Sequence, residues 1–210
     1  DSHDHLGDDY GLYVDEWGLW VDTPEGAPAL YQDSTIRDAV LAGLNFNIFH
    51  KHADRVPMTN IAQMVNVLQA MILTKDAQML LTPTYHVFEM YKPWQDATHL
   101  PFELETPDYR HGDIAVPAVH GSAVRGKDGK VYVALTNLDP EKAANVSASI
   151  SGLQATNVSG RVLTGGAITS HNTFDQPETV KPAAFNGARL AGGTLTVALP
   201  AKSVVVLALQ

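Results

Sequence analysis

The sequence predicts two unlike regions: an α/β region over residues 1–80 and an antiparallel β-sandwich over residues 81–210. Two observations predict this division. Short apolar runs alternate with longer amphipathic stretches in the first region, the pattern of a parallel β/α unit. In the second, apolar residues recur with period 2 in segment after segment, with Gly, Asn and Pro between them. Hydrophobic residues make up 45% and charged residues 18%, the balance of a folded chain with a core and not of a disordered one.

The elements follow in order. Tyr10-Gly11-Leu12-Tyr13-Val14 reads as a buried strand that ends at Asp15-Glu16. Pro24, Gly26 and Pro28 punctuate the loop after it. Asp33-Ser34-Thr35 has the chemistry of a helix start, and the segment from Ile36 to His50 carries a broad apolar surface. Arg55 to Asn60 reads as a second short strand. Ile61, Met64, Val65, Leu68, Met71 and Ile72 then recur at helical spacing, which predicts a second helix. Beyond it Tyr85, Val87, Glu89 and Tyr91 alternate with His86, Phe88 and Met90, predicting a strand. Further strands are expected at Val131–Leu135, after the turn Lys127-Asp128-Gly129, and around Val146–Ile150, Leu195–Leu199 and Val204–Ala208.

The formal net charge is −9 with no block of Lys or Arg, which argues against a nucleic-acid surface. No run of about 18 apolar residues is present, so no membrane-spanning helix is expected. Cysteine is absent, which removes disulfides and thiolate metal sites. The chain opens Asp1-Ser2-His3-Asp4-His5 without a signal-like apolar run and reads as an internal start. The compartment stays open, with the cytoplasm expected ahead of secretion. His50-Lys51-His52 lacks companions at zinc-like spacing, so helix-end packing or exposure is expected there; His3 and His5 carry less weight still. Asn145-Val146-Ser147 and Asn157-Val158-Ser159 fit a glycosylation pattern by chance.

The stretch with the most chemistry is Val14-Asp15-Glu16-Trp17-Gly18-Leu19-Trp20. A carboxylate at the C-terminal end of a parallel strand occupies the place where β/α barrels keep their catalytic groups. Two indoles beside it suit a sugar cleft, because the apolar face of a furanose or pyranose stacks on an aromatic ring. An Asp-Glu-Trp alone is more often a cap or a surface pair. Asp15 is expected on the opposite face from Glu16, in a structural hydrogen bond. Trp17 suits core packing and a subsite wall equally.

Val14-Asp15-Glu16-Trp17-Gly18 closely resembles the nucleophile strand of the arabinofuranosidases of glycoside hydrolase family 51. The resemblance continues through Leu30-Tyr31-Gln32, Thr35-Ile36-Arg37-Asp38-Ala39 and His52-Ala53-Asp54-Arg55-Val56. It then takes in Asn60 to Gln69 and Leu81-Thr82-Pro83-Thr84-Tyr85-His86-Val87-Phe88, about the first hundred residues in all. It implies the last strands and helices of a (β/α)8 barrel followed by a jelly-roll-like sandwich. It implies Glu16 as the catalytic nucleophile, Gln63 in the arabinose subsite and Trp20 bordering the leaving group, with Trp17 a further substrate-binding candidate. The implied reaction removes terminal α-L-arabinofuranosyl groups from arabinoxylan, arabinan or their oligosaccharides with retention, and needs no cofactor or metal. The family's second glutamate follows an asparagine, and no Asn-Glu pair exists in this chain. The acid/base group is therefore expected on an N-terminal portion of the same enzyme, and a homo-oligomer is also expected. A β-glucan endoglucanase is the nearest rival, disfavoured by the motif around Gln63. A non-catalytic carbohydrate-binding sandwich is the rival from another class, and Tyr109, Tyr132, Phe174 and Phe185 make no aromatic stripe for it.

Overall fold

The computed structural model describes residues 10–210. The expectations attached to His3 and His5 lie outside the described residues. The chain enters through β1 (Tyr13–Trp17), passes through α1 (Ile36–Lys51) and returns in β2 (Met58–Ile61), which pairs with β1 in parallel. Helix α1 starts where its capping chemistry dictates. The Thr35 hydroxyl accepts from the Arg37 N–H at 3.2 Å, and the buried Asp38 carboxylate accepts from the Thr35 N–H at 2.8 Å.

Two expected elements are replaced. Residues 61–72 form no helix. They turn back on themselves through Asn66 and Leu68, whose φ values of 61° and 52° no helix admits. They run into a hairpin of β3 (Ile72–Lys75) and β4 (Gln78–Leu81). Met64 and Val65, two members of the supposed core stripe, are 61% and 41% exposed. The segment expected as a strand over 85–91 is helix α2 (Pro83–Met90). Its start was signalled by Thr82, whose hydroxyl accepts from the Tyr85 N–H at 3.3 Å, and by Pro83, whose missing N–H costs nothing in the first turn. Pro83, Thr84, Val87 and Met90 form its buried face, a 3.6-residue spacing that the alternation of aromatics masked.

A 3-10 turn at Lys92–Trp94 leads into the antiparallel part. Six strands lie in one sheet in the order β12 (Ala183–Ala184), β11 (Val158–Leu163), β15 (Ser203–Leu209), β9 (Val131–Asn137), β8 (Val119–Arg125) and β5 (Thr98–Leu100). Three form a second sheet in the order β10 (Ala144–Ser149), β14 (Thr194–Leu199) and β13 (Ala188–Ala191). A separate hairpin joins β6 (Asp108–His111) to β7 (Ile114–Pro117). The strands expected near 131–135, 146–150, 195–199 and 204–208 are all present. Val119, Val133, Leu135, Val205, Leu207 and Leu209 of the large sheet meet Val146, Leu195, Val197 and Leu199 of the small one in the sandwich core.

The other face of the large sheet is not open. Val124, Ala134, Val204 and Val206 pack against Ile36, Ala39 and Val40 of α1 and Val87 and Met90 of α2. Gly43 marks the closest approach of α1: a Cβ there would lie 2.7 Å from Thr136 Oγ1 and 2.9 Å from Val204 Cγ2. Helix α1 of the first region thus lies on a sheet built wholly by the second.

A buried polar cluster fastens that junction. Asn47 Oδ1 accepts from the Tyr91 hydroxyl at 3.0 Å and from Ser122 Oγ at 2.9 Å, and its amide donates to Thr136 Oγ1 at 3.3 Å. The Trp94 indole donates to Ser122 Oγ at 3.1 Å, and His50 Nδ1 lies 3.3 Å from the same oxygen. The His50 ring stacks on Phe46, Tyr91 and Trp94. Burial, and secondarily His99, lowers its pKa to about 4. The unfolded chain therefore binds one more proton than the folded one between pH ~6.5 and ~4, and stability rises with pH across that window. His50→Phe should keep the stacking and remove this dependence. Urea unfolding of parent and variant at several pH values should show the parent alone losing on the order of 3 kcal/mol from this source by pH ~4. Equal slopes would count against it.

Candidate active site

Strand β1 and the loops after β1 and β2 bring Glu16, Trp20 and Gln63 to one end of the parallel pair. The register of β1 against β2 contains an irregularity: Val14 pairs with Thr59 and Trp17 with Ile61. Three steps on β1 therefore match two on β2, which is a bulge of one extra residue. Val14 and Trp17 both pack against the helix layer, although residues three apart in a regular strand would face opposite ways. Asp15 and Glu16 fill the interval, and both are exposed. The expectation that Asp15 would turn inward to a structural hydrogen bond is thus corrected: the bulge puts both carboxylates on the outer side.

Trp17 lies in the core. Its ring meets Phe46 and Phe49 edge-on at 5.5 Å and stacks on Phe88 at 6.0 Å. It is 9% exposed, so of its two readings the packing one is what the structure displays, and it presents no face to a sugar. The strand–helix interface demands a large apolar residue at this point, and the indole supplies it.

Trp20 differs: the residue is 67% exposed. The backbone around it is nonetheless fixed. The Leu19 N–H donates to Gln69 Oε1 at 2.7 Å, the Leu19 carbonyl accepts from Gln32 Nε2 at 2.9 Å, and the Val21 N–H donates to Gln32 Oε1 at 3.1 Å. Gln32 and Gln69 are both buried. A tryptophan left in water on an anchored backbone is a platform for a ligand ring at little ordering cost.

Gln63 stands two residues past the end of β2. It is exposed, and it stands in a turn and not at a helix start: its N–H donates to the Val67 carbonyl at 3.2 Å. The Ala62 N–H donates to the Trp17 carbonyl at 2.9 Å, which ties the end of β2 to the end of β1. Glu16 and Gln63 therefore leave neighbouring parallel strands at the same end. That is the edge where carbonyl termini and loops build ligand sites in β/α folds. His50 belongs to the buried junction described above, with its neutral ring stacked among aromatics.

Sequence reasoning did not single out Gln32, Asp38 and Gln69. All three are buried polar side chains, and the signal available was their type: a glutamine in an otherwise apolar neighbourhood has to find partners. Gln32 donates to Asp38 Oδ1 at 3.3 Å, and Gln69 donates to the Asp38 carbonyl at 2.8 Å. The cap of α1 is thereby joined to the loop after β1.

Residues 15–203 match the family described as "Alpha-L-arabinofuranosidase C-terminal domain". An intracellular exo-α-L-arabinofuranosidase of Bacteroides ovatus is 46% identical over 202 residues, which is 95% of this chain and 39% of that protein. The crystal structure of the GH51 arabinofuranosidase from Xanthomonas axonopodis pv. citri superposes with a TM-score of 0.93 at 59% identity, over 95% of this chain and 41% of the other. The thermostable GH51 enzyme from Thermotoga petrophila shares the fold, with a TM-score of 0.82 at 23% identity. The chain thus spans about two fifths of the length of these relatives. The match from residue 15 to residue 203 places the chain in the family of α-L-arabinofuranosidase C-terminal domains, within glycoside hydrolase family 51.

Proposed function

We propose that the protein carrying this chain is a retaining, exo-acting α-L-arabinofuranosidase and that Glu16 is its nucleophile. The observation that carries the reading is the outward placement of Glu16 at the end of β1, beside the strand that delivers Gln63. Membership in the arabinofuranosidase family supports the substrate class, and the Bacteroides ovatus relative carries exo-α-L-arabinofuranosidase in its name. The substrates proposed are terminal α-L-arabinofuranosyl groups on arabinoxylan, arabinan and their oligosaccharides.

In this mechanism a Glu16 oxygen attacks the anomeric carbon while the bond to the leaving oxygen breaks. A second carboxyl group, about 5 Å away, gives its proton to that oxygen. Water then adds to the anomeric carbon of the arabinosyl ester, passes a proton to the second group and releases Glu16 as carboxylate. Configuration inverts twice and is retained. Gln63 is placed to hydrogen-bond the arabinose hydroxyls.

We assign the acid/base group to polypeptide outside these 210 residues. The outer side of the β1–β2 pair supports this, because Tyr13 and Met58, which pair directly, are 56% and 48% exposed. A two-stranded parallel sheet with an apolar outer face is stable only when covered. The last strands of a (β/α)8 barrel would be covered in that way by the preceding ones. The antiparallel sheets would then be the jelly-roll-like domain beyond it.

Glu16→Gln should lower turnover of an aryl α-L-arabinofuranoside by several orders of magnitude, because the amide cannot form the ester intermediate. A mechanism-based arabinofuranosyl inhibitor should label the Glu16 side chain; mass-spectrometric localisation of the label to another carboxylate would remove the assignment.

Trp20→Ala should weaken kcat/KM for arabino-oligosaccharides more than for a small aryl arabinofuranoside. The exposed indole then contacts the leaving-group side, and stacking of this kind contributes ~1 kcal/mol or more. Equal losses on the two substrates would place Trp20 elsewhere.

A further inference from the structure

We propose that Gln69 is a positioning residue of the active site, holding the loop of Glu16 and Trp20 in fixed relation to the loop of Gln63. The inference rests on the roles proposed above for those residues and goes beyond them, because Gln69 touches no substrate.

Four segments meet at this one side chain and its backbone. Its Oε1 accepts from the Leu19 N–H at 2.7 Å, three residues after Glu16. Its Nε2 donates to the Asp38 carbonyl in the first turn of α1 at 2.8 Å and to Thr84 Oγ1 in the first turn of α2 at 3.1 Å. Its own N–H donates to the carbonyl of Ala62 at 3.0 Å, directly before Gln63. Both amide protons and the amide oxygen are thus committed, and Gln69 is 0% exposed. Thr84 is held in turn by Ser34 Oγ at 3.0 Å, so the anchor on α2 is itself fixed.

The backbone opposite is shaped to let the glutamine in. Gly18 has φ 144°, and a Cβ there would come within 3.1 Å of Gln69 Oε1. Glycine alone tolerates that φ and leaves the oxygen room to reach Leu19. Gln32 secures the other side of Trp20 through Val21 and the Leu19 carbonyl. The Asn47 cluster also joins several elements, but none of its partners lies in a loop of the proposed site. Gln69 instead spends its bonds on both active-site loops and on the two helix starts behind them. Its loss should therefore appear in transition-state geometry, where displacement by about 1 Å costs on the order of 100-fold in rate.

The test uses the full-length enzyme with two variants and one control. Gln69→Met preserves length and removes the three side-chain bonds. Gln69→Glu restores an acceptor for Leu19 and one donor only when its carboxyl is protonated. Leu209→Ala, in the sandwich core away from these loops, lowers stability without touching them. The melting temperature is measured for each enzyme, and amide exchange at Leu19 and kcat and KM on an aryl α-L-arabinofuranoside are then measured well below every melting transition. The expected result for Gln69→Met is faster exchange at Leu19 and a kcat about 100-fold lower with KM little changed. Leu209→Ala should lower the melting temperature and leave kcat intact. For Gln69→Glu, activity relative to the parent should rise as pH falls. The inference is overturned if Leu19 exchange does not change, or if an active parent gives a Gln69→Met enzyme with parental kcat. It is also overturned if the Gln69→Glu ratio is flat with pH. A parent inactive on every arabinofuranoside would instead overturn the proposed function, and the inference with it.

Discussion

Strand β15 has to be buried on both faces, and the arrangement of the molecule depends on how that is achieved. Ser203-Val204-Val205-Val206-Leu207-Ala208-Leu209 offers no polar side to water, and every one of these residues except Ala208 is buried. Such a strand is stable only inside a sheet with cover above and below. The pairings with β11 and β9 supply the inside position. The three-stranded sheet covers one face and the helices α1 and α2 cover the other. The helix that begins at the active-site end is thus seated by its middle on the large sheet, with Gly43 allowing the contact. The orientation of the site loops is inherited from a surface formed far along the chain.

Between this apolar foundation and the exposed carboxylate lies a layer of buried polar groups. Asp38 caps α1, receives Gln32, and offers its carbonyl to Gln69. In the low-dielectric interior each of these bonds is costly to leave unmade, so the set behaves as a unit. A second such unit, around Asn47 and Ser122, fastens the opposite end of α1 to the sheet. The helix is therefore pinned near both termini by directional bonds, and at its middle the Tyr91 hydroxyl donates to the Gly43 carbonyl at 3.4 Å alongside the packing contacts.

Much of this was legible in the sequence. Asp33-Ser34-Thr35 announced α1, and Val131, Leu195 and Val204 announced strands, because caps and period-2 patterns are local. The placement of Glu16 at a strand end was likewise readable, and so was its likeness to a nucleophile strand. What failed was also physical. Ile61 to Ile72 has helical spacing, yet Gln69 in its midst is needed as a hydrogen-bonding hub, and the chain bends through positive φ at Asn66 and Leu68 to deliver it. Tyr85 to Tyr91 alternates like a strand, but the cap at Thr82 and the proline after it prevail. Trp17 offered two roles, and only the position of Phe46, Phe49 and Phe88 in space decided between them. The bulge in β1 has no local signature, since it exists to bring Val14 and Trp17 onto one face.

That bulge has a consequence for how the protein can change. Val14 and Trp17 are the inward anchors, and the two residues between them hang outward without a part in the packing. The core is therefore indifferent to what stands at positions 15 and 16. Within these described residues no packing contact constrains the side chains there, so any constraint on them comes from what covers this face and, in the proposed function, from the chemistry of Glu16. The strand separates the two kinds of selection along a single stretch of backbone. A lineage could exchange its reaction at this point while keeping its architecture.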